Sequence, residues 1–336
     1  MTNTTNTVSN RPTLVLGATG SYGGAVAAEL LARGLQVRAL VRDAAKLALR
    51  FGAPANLEVI VGDVQNPDDL ARAAMGCGVI VHGVNYNYDK WFPHMETATT
   101  NILSAARREN ALIVFPGNIY SLGDAGDVPL DETAPHAPTT KKGRLRQWME
   151  ESLSDYAEAG GRVLIMRGGD YFGPTVRNGL VDPSFGNAAK GKPMMVLGNM
   201  AIPHQWAYVP DLARATVDLL ARADELQAYE VIHFEGHTAR PQRSFFAEVA
   251  RQAGSPDKIR RAPWWLLDLI GLFSPLVREV VEMRYIWDTP VLIEGRRFAD
   301  LLPDFNATPL ETAIAETLVG YDVEAQVGEV EAGATT

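Results

Sequence analysis

The chain has 336 residues, a length sufficient for one large domain or two unequal lobes, and its 46% of apolar and 21% of charged residues are typical of a globular protein. Its net charge of −9 and its lack of a basic run argue against nucleic acid as a partner. The single cysteine, Cys77, excludes an internal disulfide and favours a reducing compartment.

Neither end of the chain predicts targeting or membrane insertion. Residues 1–11 are rich in Thr and Asn, lack the features of a signal peptide and are predicted to be disordered, as is the acidic tail 321–336. The most apolar run, 263–277, contains Asp268 and Pro275 and is shorter than the about 20 apolar residues that a bilayer requires. We therefore expect a cytoplasmic protein without a membrane partner.

A glycine-rich turn follows the first apolar strand, which we predict at residues 13–16. In the sequence VLGATGSYGG the first glycine allows a tight turn, the second lets the backbone approach a pyrophosphate, and the third lets the next helix pack closely. The free N–H groups and positive dipole end of that helix favour phosphates. The pattern predicts a dinucleotide site with the turn residues Gly17, Thr19, Gly20, Ser21, Tyr22 and Gly23.

Strands and helices alternate through the first half of the chain. Strands are predicted at 13–16, 35–41, 56–61, 78–82, 112–115 and 162–166, with helices at 66–74, 95–109 and 141–159 among them. This order predicts an α/β fold with a Rossmann-type, doubly wound parallel sheet, which binds ligands beyond the carboxyl ends of its strands.

The second half is predicted to form a smaller substrate lobe. It contains a strand at 229–234 and helices at 243–253, 264–284 and 308–317, with another helix starting at 209. We expect a binding domain over 12–170, completed by later segments such as 205–235, and an interleaved lobe over 171–320.

The second strand ends at Arg42, nineteen residues after Gly23. A carboxylate at this position selects NAD through the ribose 2′-hydroxyl, whereas an arginine pairs with the 2′-phosphate of NADP. Lys46 would add a second positive charge, while Asp43 could instead turn toward the ribose hydroxyls, and Arg42 could simply be a solvated side chain. We expect NADP(H) to be preferred, with NAD(H) as a possible alternative.

Further motifs stand at the strand ends, namely GDV at 62–64, HGV at 82–84, RGGDYFGP at 167–174 and YVPDLA at 208–213. Over roughly residues 12–320 the chain resembles the extended short-chain dehydrogenase/reductase family, which holds nucleotide-sugar epimerases, dehydratases and related reductases. The resemblance implies that Asp63 and Val64 flank the adenine and that Gly83 and Val84 lie along the ribose and the nicotinamide. It also implies a possible homodimer through a helix near 141–159.

The catalytic groups of that family are replaced in this chain. The family uses a Tyr-x-x-x-Lys pair and a serine, because a lowered tyrosine pKa permits proton exchange with a substrate hydroxyl. Counting back from Tyr120 puts Pro116 at the serine position. Aligning Glu150 with the acid that follows the pair puts Lys142 at the tyrosine and Arg146 at the lysine.

Two replacements for the missing acid/base group are open. Lys142, desolvated beside Arg146 and an oxidised nicotinamide, would have a lowered pKa and could exchange a proton. Alternatively, a tyrosine near the strand ends reaches the site, and the candidates are Tyr86, Tyr88 and Tyr120. Asn118 is either a substrate contact or a turn residue, and the basic start of the helix at 141 is either solvated or holds cofactor phosphate.

The sequence contains no Cys/His cluster and no HExxH motif, so it predicts no metal site.

The substrate lobe is rich in Met and aromatic residues, which either form an apolar pocket or belong to the core: Met194, Met195, Trp206, Tyr208, Trp264, Trp265, Phe273, Tyr285 and Trp287. A pocket of this kind suits an apolar or aromatic carbonyl compound, whereas Arg177, Lys190 and Lys192 leave a nucleotide sugar as an alternative substrate.

The sequence is compatible with two functions. The first is an NADP-dependent oxidoreductase, of reductase or epimerase type, for a small carbonyl or hydroxyl compound. The second is a non-catalytic NAD(P)-sensing regulatory protein.

Overall fold

Fourteen strands are found in the computed structural model, which describes residues 11–177, 181–254 and 259–333. In chain order they are β1 (Thr13–Leu16), β2 (Val37–Val41), β3 (Leu57–Val61), β4 (Val79–His82), β5 (Leu112–Asn118), β6 (Gly126–Leu130), β7 (Arg162–Gly168), β8 (Asp170–Phe172), β9 (Met194–Val196), β10 (His204–Tyr208), β11 (Tyr229–Phe234), β12 (His237–Ala239), β13 (Ile259–Arg261) and β14 (Val291–Ile293). The N-terminal segment predicted to be disordered lies, apart from Arg11, outside the described residues.

The helices alternate with the strands in the first half and dominate the second. They are α1 (Ser21–Ala32), α2 (Ala44–Phe51), α3 (Pro67–Ala74), α4 (Trp91–Glu109), α5 (Lys141–Glu158), α6 (Asp182–Ala189), α7 (Val209–Ala221), α8 (Arg243–Gln252), α9 (Trp264–Gly271), α10 (Pro275–Val281), α11 (Tyr285–Asp288), α12 (Arg296–Leu301) and α13 (Leu310–Gly333). Short 3-10 turns cover Tyr88–Lys90, Ile119–Leu122 and Ala223–Glu225.

Seven parallel strands form the central sheet in the order β11-β7-β5-β4-β1-β2-β3. The order reverses between β1 and β4, which creates the crevice where doubly wound sheets bind ligands. A smaller sheet has the order β12-β10-β8, and two further parallel pairs join β13 to β9 and β14 to β6. The predicted α/β fold class is confirmed.

Buried apolar side chains along β1 alternate between two cores, one on each face of the sheet. Leu14 and Leu16 belong to the core beneath α3, α4 and α5, and Val15 belongs to the core beneath α1 and α7. All four residues of β1 and of β4 are buried, as expected for strands that helices cover on both faces. Each buried Leu or Val side chain contributes about 1.5–3 kcal/mol. Together they hold the carboxyl ends of β1 and β4 in a fixed position.

The helices of the second half depart from their predicted bounds. The single helix predicted over 264–284 is two helices, α9 and α10, because Ser274 caps a new helix that begins at Pro275. The last helix runs to Gly333, beyond its predicted end at 317 and into the predicted tail, where Ala, Glu and Gln are good helix formers. At the end of β5, residues 116–118 extend the strand by pairing with Met166, Arg167 and Gly168.

Candidate functional site

A cavity of about 290 Å³ lies at the carboxyl ends of β1 and β4, where the strand order reverses. Loops and residues that follow β1 to β5 line most of it, and α5, β8 and the segment after β8 complete it. The lining residues are Leu16, Gly17, Thr19, Gly20, Ser21, Tyr22, Leu40, Val41, Arg42, Gly62, Asp63, Val64, Gly83, Val84, Asn85, Tyr86, Pro116, Asn118, Arg146, Tyr171, Val176 and Arg177. Of the predicted cofactor residues, Gly23 and Lys46 are outside this lining.

The glycine-rich turn leaves no room for a side chain at Gly17 or at Gly23. Gly17 has a φ of 71°, and a Cβ there would lie 2.2 Å from the carbonyl oxygen of Gly83. A Cβ on Gly23 would lie 2.6 Å from the carbonyl oxygen of Gly17. The backbones that follow β1 and β4 therefore pack directly on each other, as the glycines of a dinucleotide-binding turn allow.

The N-terminus of α1 faces the cavity through residues 20–22. Its N-cap, Gly20, has no side chain that could accept from the first-turn amides, and no acidic residue lies in that turn. Ser21 Oγ donates to Thr175 O at 3.1 Å, and the buried hydroxyl of Tyr22 lies 2.9 Å from Thr216 Oγ1. The positive end of the helix dipole is thus uncompensated by the residues of α1, as a pyrophosphate site requires.

Arg50, which sequence reasoning missed, lies over the same turn. Its Nη1 donates to the carbonyl oxygen of Gly20 at 2.7 Å, and a Cβ on Gly24 would meet its guanidinium at 2.2 Å. Burial lowers the pKa of Arg50. The signal that could have found it is its place on α2, the helix that follows Arg42.

At the end of β2, Arg42 is exposed and lines the cavity. The neighbouring carboxylate of Asp43 caps α2, since its Oδ1 accepts from the backbone N–H groups of Ala45 at 3.0 Å and Lys46 at 3.3 Å. Lys46 is exposed on the first turn of α2. A guanidinium rather than a carboxylate therefore lines the cavity at this strand end.

Asp63 and Tyr86 face the cavity from the loops after β3 and β4 and are connected through Gln65. Asp63 Oδ1 accepts from Gln65 N at 2.9 Å, and the Gln65 amide donates to Tyr86 Oη at 2.7 Å. Burial raises the pKa of Tyr86. Val64, Gly83 and Val84 complete this wall.

The side chain of Lys142 is directed away from the cavity and is fully buried. Its Nζ donates to Glu279 Oε2, to Glu279 O at 3.2 Å and to Glu282 Oε2 at 2.6 Å. A lysine ammonium has three N–H donors, and these contacts occupy all of them. The predicted acid/base role of Lys142 is therefore corrected: the side chain ties α5 to the α10 region.

Tyr120 is also directed elsewhere. Its hydroxyl lies 2.7 Å from that of Tyr88, and neither residue belongs to the cavity lining. Burial raises the pKa of both phenols. Asn118, in contrast, lines the cavity, and its Oδ1 accepts from Tyr120 N at 3.1 Å, which leaves the amide N–H₂ group for other partners.

Arg146 reaches the cavity from α5 and is about 7% exposed. Its guanidinium lies 5.0 Å from the ring of Trp91 and 5.1 Å from that of Phe115, and Nη1 donates to Pro116 O at 3.3 Å. Burial lowers the pKa of Arg146. At the basic start of α5, Lys141 and Arg144 are exposed, as the solvated alternative requires, whereas Lys142 and Arg146 are buried.

Tyr171, on β8, is a cavity residue that sequence reasoning missed. Its hydroxyl donates to the carbonyl oxygen of Gly117 at 2.6 Å, and burial raises its pKa. The residue lies in the motif RGGDYFGP, directly after β7, so its position beyond a strand end was the available signal.

Arg167 pairs with a carboxylate. It donates to Glu150 Oε2, which also lies 3.0 Å from His136 Nε2, and its Nη1 lies 2.8 Å from His233 Nε2. Burial acts to raise the pKa of Glu150, but Arg167 and His136 outweigh it, so that the pKa is lowered. This buried network joins α5, β7 and β11 and has a structural role.

Most aromatic residues of the second half belong to the core or to the surface, which favours the core alternative over an apolar pocket made of them. Trp206 stacks on Phe245 with 4.1 Å between ring centroids, and Trp287 is likewise buried. Trp265 and Phe273 are 68% and 87% exposed. Lys190 and Lys192 are exposed and outside the cavity lining, whereas Arg177 lines it.

The family comparison agrees with this geometry. The profile of the NAD dependent epimerase/dehydratase family matches residues 13–233, which include the glycine-rich turn and all seven strands of the central sheet except the last residue of β11. The chain belongs to this family. The predicted resemblance to the extended short-chain dehydrogenase/reductases is confirmed.

Two curated relatives match parts of the chain. A protein of Synechocystis that is provisionally named dihydroflavonol 4-reductase is 28% identical over 172 residues, which are 48% of this chain and 49% of the relative. An uncharacterised chloroplast protein of Arabidopsis thaliana is 31% identical over 113 residues, 31% of this chain and 39% of the relative. The chain thus spans half or less of the length of these relatives.

Solved structures of family members share the fold. The Bordetella bronchiseptica enzyme WbmH, in complex with NAD⁺, is 19% identical with a TM-score of 0.72, covering 93% of this chain and 98% of that one. The dTDP-glucose 4,6-dehydratase DesIV of Streptomyces venezuelae, with NAD bound, is 19% identical with a TM-score of 0.76, covering 93% and 97%. UDP-glucose-4-epimerase of Stenotrophomonas maltophila, also with NAD, is 16% identical with a TM-score of 0.76, covering 95% and 100%.

Two kinds of feature are absent from the described ranges. No helix among residues 11–177, 181–254 and 259–333 is long and apolar enough to cross a membrane. In the same ranges no cluster of His, Cys, Asp and Glu could hold a metal ion.

Proposed function

We propose that this protein is an NADP-dependent oxidoreductase, of reductase or epimerase type, that acts on a small carbonyl or hydroxyl compound. The observation that carries the proposal is the backbone cradle of Gly17 and Gly83 together with a guanidinium at the end of β2. A nicotinamide dinucleotide bound in this cavity supplies a hydride donor or acceptor. The residues of the chain hold it and orient the substrate.

The cofactor contacts follow from the lining of the cavity. The amides of residues 17–22 bind the diphosphate, Asp63 and Val64 flank the adenine, and Gly83 and Val84 lie along the ribose and the nicotinamide. Arg42 recognises the 2′-phosphate, and the exposed ammonium of Lys46 adds positive charge nearby. Asp43 is occupied as the helix cap, which removes the carboxylate that would favour NAD.

Calorimetry with NADP⁺ and NAD⁺ tests this preference. We expect the wild-type protein to bind NADP⁺ at least about tenfold more tightly, because a charge-assisted pair with a phosphate contributes about 1.5–3 kcal/mol. Arg42→Asp should abolish or reverse the preference, whereas Arg108→Asp, an exposed control on α4, should retain it. An Arg42→Asp variant that still prefers NADP⁺ would refute the assignment.

On the substrate side, Asn118, Tyr86 and Arg146 line the cavity and are among the groups that can contact a substrate oxygen. Asn118 can donate from its amide nitrogen because its Oδ1 is already engaged by Tyr120 N. We expect NADPH oxidation with a member of a panel of aldehydes, ketones and nucleotide sugars, and at least about tenfold lower kcat/KM for Asn118→Ala. Asn85→Ala, also in the lining, is the matched control.

A second candidate is a non-catalytic NAD(P)-sensing regulatory protein. Pro116 at the family's serine position and the engaged Lys142 at its tyrosine position favour it. This candidate predicts micromolar NADPH binding without turnover of any member of the same panel. Turnover that survives Lys142→Ala would support the enzyme and agree with the structural role of that lysine.

We also propose a cytoplasmic homodimer that contacts neither membrane nor nucleic acid. The helix that the family resemblance implicates is α5, where Trp148 is about 36% exposed. Sedimentation of the wild-type protein and of Trp148→Glu tests the dimer. A wild-type monomer at micromolar concentration would exclude it.

A further inference from the structure

Arg146 is a buried cation without a charge partner among the described residues. Its side chain is about 93% buried, its Nε has no hydrogen-bond partner, and its guanidinium makes a 3.3 Å hydrogen bond to Pro116 O. Glu150, one turn along α5, uses Oε2 for Arg167 and His136, and although its charge acts on Arg146 the two side chains form no ion pair. Buried charges are normally paired, so this guanidinium lacks a partner that a ligand can supply.

Other buried cations of the described chain show the usual arrangement. Lys142 lies against Glu279 and Glu282, and Arg167 lies against Glu150. Both of these side chains are outside the cavity lining, whereas Arg146 is part of it. The two buried cations that have carboxylate partners are therefore outside the cavity lining, and the one without such a partner is part of it.

Two aromatic rings pack against the guanidinium of Arg146. Trp91 and Phe115 lie 5.0 and 5.1 Å from Arg146 Cζ, a cation–π arrangement that stabilises the charge without using its N–H donors. A planar guanidinium held in this way is suited to a carboxylate, which accepts two parallel hydrogen bonds. Asn118, in the same lining, offers an amide donor beside it.

We propose that Arg146 forms an anion subsite and that the substrate is a carbonyl or hydroxyl compound that also bears a carboxylate. This inference rests on the proposed function, which it narrows from small carbonyl compounds to oxo acids and hydroxy acids. The phosphates of the cofactor have separate partners in the glycine-rich turn and Arg42, on the β1 and β2 side of the cavity. Arg146 lies on the β5 and α5 side, next to Pro116 and Asn118.

Benzoate and benzamide are suitable probes, because they share a shape and differ in charge. Calorimetry on the full-length protein, in a buffer of low ionic strength, should give at least about tenfold tighter binding of benzoate, with and without NADP⁺. Arg146→Met should remove this difference, and Arg146→Lys should retain part of it, since the charge remains but the planar fork is lost. Arg144→Met, exposed on the same helix, is the matched control and should bind as the wild type does.

The outcomes separate the two proposals. Equal binding of benzoate and benzamide to the wild-type protein would overturn the anion subsite, even if a variant fails to fold. A loss of NADP⁺ affinity of about tenfold or more in Arg146→Met would also overturn it, since the guanidinium would then belong to the cofactor site. Benzoate binding that depends on Arg146 in a protein that binds neither NADP⁺ nor NAD⁺ would support the subsite and refute the proposed function.

Discussion

Lys142 Nζ lies 2.6 Å from Glu282 Oε2, in an ion pair that connects the start of α5 to the end of α10. The lysine is fully buried, and the carboxylate of Glu279 shares it. Burial acts to raise the pKa of Glu282, but the hydrogen bond and charge of Lys142 outweigh it, so the pKa of Glu282 is lowered. The residue that we predicted at the family's tyrosine position therefore connects α5 to the α10 region.

Replacing Lys142 by Met should destabilise the protein while leaving the chemistry of the folded fraction intact. The change leaves two carboxylates facing each other without their cation, and breaking such a buried pair costs about 3–5 kcal/mol. Urea unfolding measures the loss, and kcat per folded molecule measures the chemistry. Abolished turnover at unchanged stability would instead assign Lys142 to catalysis.

Replacing Gly17 by Ala should abolish nicotinamide dinucleotide binding. The new Cβ would overlap the Gly83 carbonyl, and the φ of 71° is unfavourable for alanine by about 1–2 kcal/mol. Gly34→Ala is the matched control, because its φ is 75° and nothing lies within 4 Å of the place that its new Cβ would take. Calorimetry should show binding in Gly34→Ala only; equal affinities in both variants would contradict the cradle.

Replacing Asp43 by Ala should lower stability without changing the choice of cofactor. The variant loses an N-cap that accepts two backbone N–H groups of α2, which corresponds to about 0.5–2 kcal/mol. Thermal unfolding and paired NADP⁺ and NAD⁺ titrations are the measurements. A marked loss of NAD⁺ affinity alone would show that Asp43 contacts the ribose.

Two buried histidines should make the protein sensitive to acid. Burial and, second, the charge of Arg146 hold the pKa of His82 at about 3, and burial and Arg167 hold that of His233 at about 4. An unfolded histidine has a pKa of about 6.5, so between that value and about pH 4 the unfolded state binds protons that the folded state does not. The free energy of unfolding should therefore fall as the pH falls, by about 1.4 kcal/mol per unit for each histidine.

Urea unfolding at several values between about pH 7 and pH 4 measures this slope. His82→Gln should have a shallower slope than the wild type, whereas His94→Gln, which is only partly buried, should match the wild type. Identical slopes for His82→Gln and the wild type would contradict the assignment to His82.

The sheet and the position of the glycine-rich turn at its edge could be predicted because their signals are local. The apolar run of β1, the three glycines and Arg42 lie close together in the sequence, and each acts through backbone geometry or its immediate neighbours. The start of a new helix at Pro275 also has a local signal, because Ser274 is an N-cap residue directly followed by proline. The prediction of one helix over 264–284 did not use this signal.

The substrate side could not be predicted in the same way, because distant partners decide it. The charge of Lys142 is balanced by Glu279 and Glu282, which lie 137 and 140 positions later in the chain. No local pattern distinguishes Lys142 from Arg146, which lines the cavity. Tyr171 lines the cavity from β8, a strand that pairs with the distant β10. Such contacts depend on tertiary packing rather than on spacing.

The pairing of β11 with β7 determines where the chain can be cut. A fragment that stopped at residue 170 would expose the whole edge of β7, and unpaired strand edges of this length promote aggregation. The same fragment would leave the Lys142 ammonium without its carboxylates. The nucleotide-binding half should therefore be insoluble when expressed alone, and any minimal version has to retain the segments that follow it.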